Sequence, residues 1–120
     1  MNTLFPVFLK LEQLHVLIVG GGYVGLEKLT AVLVNSPQTQ VTLVAPEIRE
    51  EIKDLSLSHP SVELIYQRYE PHFLGGRDIV IVGTNDKAVN HQVQQDCKAR
   101  KILVNVADTP ELCDFYLSSV

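Results

Sequence analysis

Short apolar runs alternate with longer amphipathic stretches along the chain. The runs are rich in β-branched residues, as expected of strands that are buried on both faces of a sheet. The stretches between them repeat apolar side chains at helical spacing. The pattern predicts strands at residues 15–19, 40–44, 62–66, 78–82 and 102–106, with a further strand at residues 115–120.

Three helices are predicted between these strands, at residues 23–34, 47–57 and 86–100. The first ends before Asn35, Ser36 and Pro37, because a residue that precedes proline disfavours the helical conformation. The third ends in a basic turn, which suits the helix dipole. Residues 70–77 contain proline and glycine and are predicted to form an irregular crossover.

This alternation favours an α/β fold, specifically a Rossmann-like, doubly wound parallel sheet with helices on both faces. Right-handed crossovers leave few topologies, and the default strand order is 3-2-1-4-5. With 120 residues, the chain is expected to form a single domain that spans residues 1–120.

Charge and composition narrow the classes of partner. The net charge of −4 argues against a general nucleic-acid or anionic-membrane surface. The apolar runs are too short to span a bilayer, and no secretory signal is visible. Cys97 and Cys113 are too few for a disulfide scaffold and lack metal-ligand spacing. Reduced thiols in a cytoplasmic protein are therefore expected.

A glycine cluster follows the first predicted strand. Gly20, Gly22 and Gly25 occupy the first, third and sixth places of a dinucleotide-binding turn, and a helical pattern follows at once. The first glycine makes the tight turn, the second lets the backbone approach a pyrophosphate, and the third lets helix and strand pack closely. Free N–H groups at the helix start favour phosphate. Lys28, one turn further on, is either a phosphate ligand or a solvated lysine.

The end of the second predicted strand offers a ribose site, since ligands of an open parallel sheet gather outside the carboxyl ends of its strands. Ala45 stands where an acidic ribose ligand is usual, and Pro46 and Glu47 follow it. Glu47 either reaches the ribose or stabilises the dipole of the next helix. Because no arginine occurs nearby before Arg49, the sequence favours NAD over NADP.

Polar residues also follow the fourth and fifth predicted strands. Thr84 and Asn85 either cap the third helix or form a wall of the nicotinamide pocket. Asp108 precedes Thr109 and Pro110, a common arrangement in structural turns. Alternatively, its carboxylate is a general base beside a bound nicotinamide. Both alternatives remain open for each loop.

Four segments together resemble the siroheme synthase N-terminal domain family. They are residues 4–11, 16–25, 43–47 and 105–115, and the likeness covers almost all of the chain. The opening and closing segments are far more specific than the glycine turn alone. Members of this family are precorrin-2 dehydrogenases, and some also act as sirohydrochlorin ferrochelatases.

The resemblance implies NAD-dependent oxidation of a tetrapyrrole, precorrin-2, to sirohydrochlorin, with Fe²⁺ as a substrate metal in bifunctional members. It implies that Asp108, which matches the aspartate of the family's NV-x-D-x-P motif, is the catalytic base of both steps. No resident metal ligand is assigned. The positions that match the family's cofactor-contacting segments are Gly20, Gly22, Tyr23, Val24, Gly25, Pro46, Glu47, Thr84 and Asn85.

The chain departs from the family pattern in two places. Gly25 stands where the family commonly has alanine, a swap expected to be harmless. Members also continue past the equivalent of Val120 into a dimerisation segment and a helical domain, so a homodimer is expected of the full-length family. Two other functions remain open. One is a non-catalytic, NAD-binding regulatory domain, which would normally need the acidic residue that Ala45 replaces. The other is a nucleotide-binding fragment with no activity of its own.

Overall fold

A computed structural model describes residues 3–117 of the chain. Its five strands form one parallel sheet in the order β3-β2-β1-β4-β5, which confirms the predicted Rossmann-like, doubly wound topology. The strands are slightly shorter than predicted at β3, β4 and β5. Their bounds are β1 His15–Val19, β2 Gln40–Val44, β3 Val62–Ile65, β4 Ile79–Val82 and β5 Leu103–Val106.

The helices α1 Tyr23–Asn35, α2 Glu50–Ser58 and α3 Lys87–Ala99 connect these strands. Short 3-10 turns lie at Leu11–Gln13, Pro71–Leu74 and Pro110–Leu112. The second of them lies within the crossover predicted to be irregular. None of the helices between residues 3 and 117 has the length and apolar character needed to cross a bilayer.

The hydrophobic core lies in two layers, one on each face of the sheet. On one face, Leu29 of α1 and Ile52 of α2 pack against alternate residues of the central strands. On the other face, Val93 of α3 and Leu74 of the 3-10 turn pack against the remaining ones. Because both faces are covered, the strands are apolar throughout rather than alternating, as the sequence pattern indicated.

Helix α2 begins at Glu50, so its predicted start at Glu47 is wrong. Arg49 keeps an extended backbone, with φ −61° and ψ 149°, and is the N-cap. Its N–H donates to the carbonyl oxygen of Gly21 at 2.9 Å. This hydrogen bond ties the loop after β2 to the loop after β1, and the helix begins only beyond it.

The predicted strand at residues 115–120 lies partly outside the described residues, and residues 115–117 form no strand. The outer edge of β5 is instead satisfied by the segment that follows it. The N–H of Val104 donates to the Asp114 carboxylate at 3.0 Å, and the N–H of Val106 donates to the Cys113 sulfur at 3.1 Å. Side chains at the edge thus take the positions that a neighbouring strand would occupy.

Candidate dinucleotide site and the Asp108 turn

The loop between β1 and α1 has the backbone that its glycines were expected to provide. Gly20 has φ +133°, and a Cβ at this position would strike the carbonyl of Gly83 in the loop after β4. A Cβ on Gly22, in contrast, would meet nothing within 4 Å. Protein atoms therefore fill the space beside Gly20, whereas the space beside Gly22 is open to solvent.

The amino terminus of α1 faces this open space. Gly22 is its N-cap, so no side chain caps the first turn, and that turn contains no acidic residue. First-turn N–H groups without an intrahelical partner, together with the helix dipole, form an anion site. Lys28 does not lie in this loop, because its Nζ is 3.2 Å from the Glu27 carboxylate and its side chain lines a pocket beside Asp108.

Gly25 lies directly against the backbone of Gly20. A Cβ at position 25 would strike the Gly20 carbonyl, with the carbonyl carbon at 2.9 Å. The expectation that alanine is harmless here is therefore wrong for this backbone, since a main-chain carbonyl cannot move aside as a flexible side chain can.

Pro46 and Glu47 lie exposed in the loop after β2. Glu47 lies two residues before Arg49, the N-cap of α2, and the acidic residues in the first turn of that helix are Glu50 and Glu51. The two alternatives for Glu47, the adenosine ribose and the helix dipole, stay predictions.

Arg49, the first arginine after the predicted ribose site, lies against the glycine turn. Its guanidinium carbon lies 3.6 Å from the centroid of the exposed Tyr23 ring, and its Nη2 is 3.1 Å from a Glu51 carboxylate oxygen. The hydrogen bond between the two side chains raises the pKa of Arg49 and lowers that of Glu51. The Nε of Arg49 is buried and has no hydrogen-bond partner within residues 3–117.

The loop after β4 is held by two side chains of α3. Asp86 caps the helix, accepting first-turn N–H groups at 2.9 and 3.4 Å, so the cap is neither Thr84 nor Asn85. Asn90, which the sequence gave no reason to single out, accepts the Thr84 N–H at 3.0 Å and donates to the Thr84 carbonyl at 3.1 Å. Asn85 is left exposed at the tip of this fixed loop.

Gly83 brings the candidate segments together. A Cβ on Gly83 would strike the side chain of Val24 and would lie 3.2 Å from the Cβ of Ala107. The start of α1, the end of β4 and the end of β5 therefore meet at one edge of the sheet. Since Ala107 precedes Asp108, the predicted cofactor-contacting loops lie beside the turn that contains Asp108.

Asp108 has a backbone conformation unusual for a residue with a side chain. Its φ is +60°, and it lies in a turn closed by the Thr109 N–H, which donates to the Val106 carbonyl at 3.2 Å. Its side chain is exposed and forms no hydrogen bond or ion pair with any other described residue. It faces a pocket of about 170 Å³, also lined by Lys28, Asn105, Thr109, Cys113 and Tyr116. Asp108 is thus a turn residue with an exposed carboxylate.

The parallel sheet, its strand order and the uncapped glycine turn define a dinucleotide-binding domain of the Rossmann-like class. Residues 7–119 match the NAD_binding_7 family model, described as "Putative NAD(P)-binding". The chain belongs to this family.

Comparisons with known proteins confirm the resemblance to siroheme synthases. The chain is 48% identical over its whole length to a siroheme synthase of Psychrobacter sp. (strain PRwf-1), covering 24% of that protein. It is 38% identical to a siroheme synthase of Methylobacillus flagellatus, again over the whole chain and 25% of the relative. The chain thus spans about a quarter of the length of these curated relatives.

A solved structure titled "SirC, precorrin-2 dehydrogenase" has a similar fold. The TM-score is 0.81 at 26% sequence identity, and the alignment covers 97% of this chain and 55% of the other. The similarity extends over nearly the whole sheet and its helices, so the architecture described above is the architecture of that protein's matching part.

Proposed function

We propose that this chain binds NAD at the glycine turn and is the cofactor-binding part of a dehydrogenase that oxidises precorrin-2 to sirohydrochlorin. The observation that carries the proposal is the meeting of three loops at one sheet edge. There Val24, in the uncapped first turn of α1, and Ala107, which precedes Asp108, both lie against Gly83 of the loop after β4. The names of the relatives, siroheme synthase and precorrin-2 dehydrogenase, support the same substrate class.

The residues present fit a dinucleotide. The open space at Gly22 admits a pyrophosphate close to the backbone, and the first-turn N–H groups of α1 would donate to it. Pro46 and Glu47 would lie along the adenosine ribose, and Asn85 would face the nicotinamide end from the loop fixed by Asn90. When bound, NAD supplies a hydride acceptor beside the sheet edge.

Asp108 is the proposed general base. Removal of a hydride and a proton from precorrin-2 needs a group that takes the proton. An exposed carboxylate with no hydrogen-bond or ion-pair partner among the described residues meets that need. The same carboxylate would accept pyrrole N–H protons if Fe²⁺ is inserted as a second step. Among residues 3–117 no group of three or more His, Cys, Asp or Glu side chains is arranged to hold a metal, so Fe²⁺ is treated as a substrate.

The test of this proposal has two stages. Calorimetric titration of the chain with NAD is expected to show binding, and NADH absorbance is expected to appear when precorrin-2 is added to a protein that contains the chain. Absence of NAD binding would contradict the whole proposal. Binding without NADH formation in a longer parent protein would favour the regulatory alternative. A cytoplasmic location, which the cysteine usage favours, and a homodimer, which the resemblance implies, remain predictions.

We further expect Glu51 to set the preference of this site for NAD over NADP. Arg49 lies beside the glycine turn, and its guanidinium is already paired with the Glu51 carboxylate. The 2′-phosphate of NADP would have to displace that carboxylate in order to bind Arg49. Glu51→Gln is expected to strengthen NADP binding relative to NAD by about fivefold, the modest size expected of an exposed ion pair. Calorimetric dissociation constants for both nucleotides measure this ratio.

Glu50→Gln is the matched control for that prediction. Glu50 lies next to Glu51 in the first turn of α2 and pairs with Lys53 at 3.4 Å, not with Arg49. The control variant is expected to keep the NADP-to-NAD ratio of the unmodified chain. An equal change in both variants would show that the general loss of negative charge, and not release of Arg49, alters the preference.

A further inference from the structure

We propose that Cys113 is a positioning residue for Asp108, because its sulfur fastens the turn that carries Asp108 to the end of β5. The inference rests on the proposed function, in which Asp108 is the base, and it assigns a role to a side chain outside the predicted site. The hydrogen bonds of its sulfur are with Asn105, Val106 and Thr109, at the end of β5 and in the turn that follows it. It would act only by fixing where the carboxylate lies.

The sulfur joins the two ends of the turn. It accepts a hydrogen bond from the Val106 N–H at 3.1 Å, and its S–H points to the Val106 carbonyl oxygen at 3.2 Å, with the Thr109 carbonyl oxygen at 3.5 Å. Val106 precedes the turn and Thr109 follows Asp108. One atom therefore contacts the backbone on both sides of the candidate base.

Neighbouring contacts hold the sulfur in this place. The backbone N–H of Asp114 donates to the Val104 carbonyl at 2.8 Å, and the Asp114 carboxylate accepts the Val104 N–H at 3.0 Å. The side-chain amide of Asn105 donates to the Phe115 carbonyl at 3.0 Å and lies 3.6 Å from the Cys113 sulfur. Hydrogen bonds thus hold the segment that contains Cys113 along the edge of β5.

The backbone conformation of Asp108 explains why the turn needs the hydrogen bonds of Cys113. A φ of +60° is uncommon for residues other than glycine, although aspartate and asparagine adopt it more readily than the rest, and contacts around the turn help to hold it. The Asp108 side chain contributes no hydrogen bond of its own among the described residues. The turn is held by the Thr109 N–H bond to the Val106 carbonyl, by the Thr109 hydroxyl, which donates to the Ala107 carbonyl at 3.3 Å, and by the contacts of Cys113.

The first experiment measures the turn without any need for turnover. In Cys113→Ala, amide hydrogen exchange of Thr109 is expected to accelerate by at least about tenfold, because the N–H that closes the turn loses its support. Exchange in the glycine turn is expected to remain unchanged. Glu111→Ala is the matched control, since Glu111 is exposed in the same segment and its side chain forms no hydrogen bond or ion pair with another residue in the described range 3–117. Unchanged exchange at Thr109 in Cys113→Ala would overturn the proposal.

The second experiment uses turnover in a protein that contains the chain. Cys113→Ala is expected to lower kcat by at least about tenfold, because displacing a reacting group by about an ångström costs up to a hundredfold. The dissociation constant of NAD is expected to stay the same. Cys113→Ser keeps a donor and an acceptor on a shorter bond, so it is expected to recover part of the lost kcat. Full kcat in Cys113→Ala, together with loss of turnover in Asp108→Asn, would overturn the role of Cys113 and leave the proposed function standing.

Chemical modification gives a reversible version of this test. The thiolate of Cys113 attacks the sulfenyl sulfur of methyl methanethiosulfonate, a mixed disulfide forms, and methanesulfinate leaves. Cys97 is fully buried, and burial raises the pKa of its thiol to about 12, so it is expected to remain unmodified. One adduct by intact mass, loss of kcat, and recovery with dithiothreitol are expected. Full kcat in the singly modified protein would contradict the proposal.

Discussion

Asp108→Asn is expected to lower kcat for precorrin-2 oxidation by about 10²–10⁴-fold, the usual contribution of a general base. Asparagine is close to aspartate in shape and tolerates a φ of +60°, so the turn after β5 is expected to keep its conformation. Only the ability to take a proton is removed. The affinity for NAD and the melting temperature are therefore expected to change little, and initial rates, calorimetry and thermal unfolding measure the three quantities.

Two further variants make this result interpretable. Asp54→Asn removes an exposed carboxylate from α2 and is expected to leave kcat unchanged. Asp108→Ala removes the carboxylate as well, but alanine is less easily accommodated at a positive φ, so about 1 kcal/mol of stability is expected to be lost too. Retained turnover in Asp108→Asn would exclude Asp108 as the base, whatever its place in the pocket.

The sheet was predictable because its determinants are local. Each strand is a short apolar run between turn residues, and right-handed crossovers then leave the observed strand order as the default. The conformation of the glycine turn was predictable for the same reason. The positive φ of Gly20 and the open position at Gly22 follow from the spacing of the motif and from the strand and helix on either side.

Contacts between distant segments were not predictable from one sequence. Arg49 is far from Tyr23 along the chain, yet its guanidinium covers the Tyr23 ring because the loop after β2 is bonded to Gly21. The same hydrogen bond delays the start of α2, which periodicity alone placed too early. The role of Asn90 was also not visible in the sequence, because an asparagine in a helix is ordinarily a solvated side chain. In this fold its side chain forms two hydrogen bonds with the backbone of Thr84.

The strand predicted at residues 115–120 is a second case in which the sequence pattern was not sufficient. Residues 115–117 are a short apolar run like those of the strands, but the edge of β5 on which a strand would pair is already bonded to Cys113 and Asp114. Cys113 looked like an ordinary reduced thiol in the sequence. Its contacts with the turn depend on the fold-back of the chain at Pro110–Leu112, which no period or spacing encodes.

The same substitution at two glycines is expected to separate cofactor binding from folding. In Gly22→Ala the new Cβ enters open space, so stability is expected to change little. That space is the one in which a pyrophosphate would approach the backbone, so the dissociation constant of NAD is expected to rise at least about tenfold, equal to about 1.4 kcal/mol. Calorimetry with NAD and thermal unfolding measure the two effects.

Gly25→Ala is expected to give the opposite result. Its Cβ would strike the Gly20 carbonyl, and relief of that contact requires the backbone of the turn to shift. Overpacking of this kind costs about 1–3 kcal/mol, which lowers the melting temperature of a domain of this size by several degrees. NAD affinity measured well below that temperature is expected to fall less than in Gly22→Ala, since the open space remains. Loss of affinity in Gly25→Ala but not in Gly22→Ala would place the cofactor elsewhere, because Gly22 is the one of the four glycines in this turn that leaves room for a ligand.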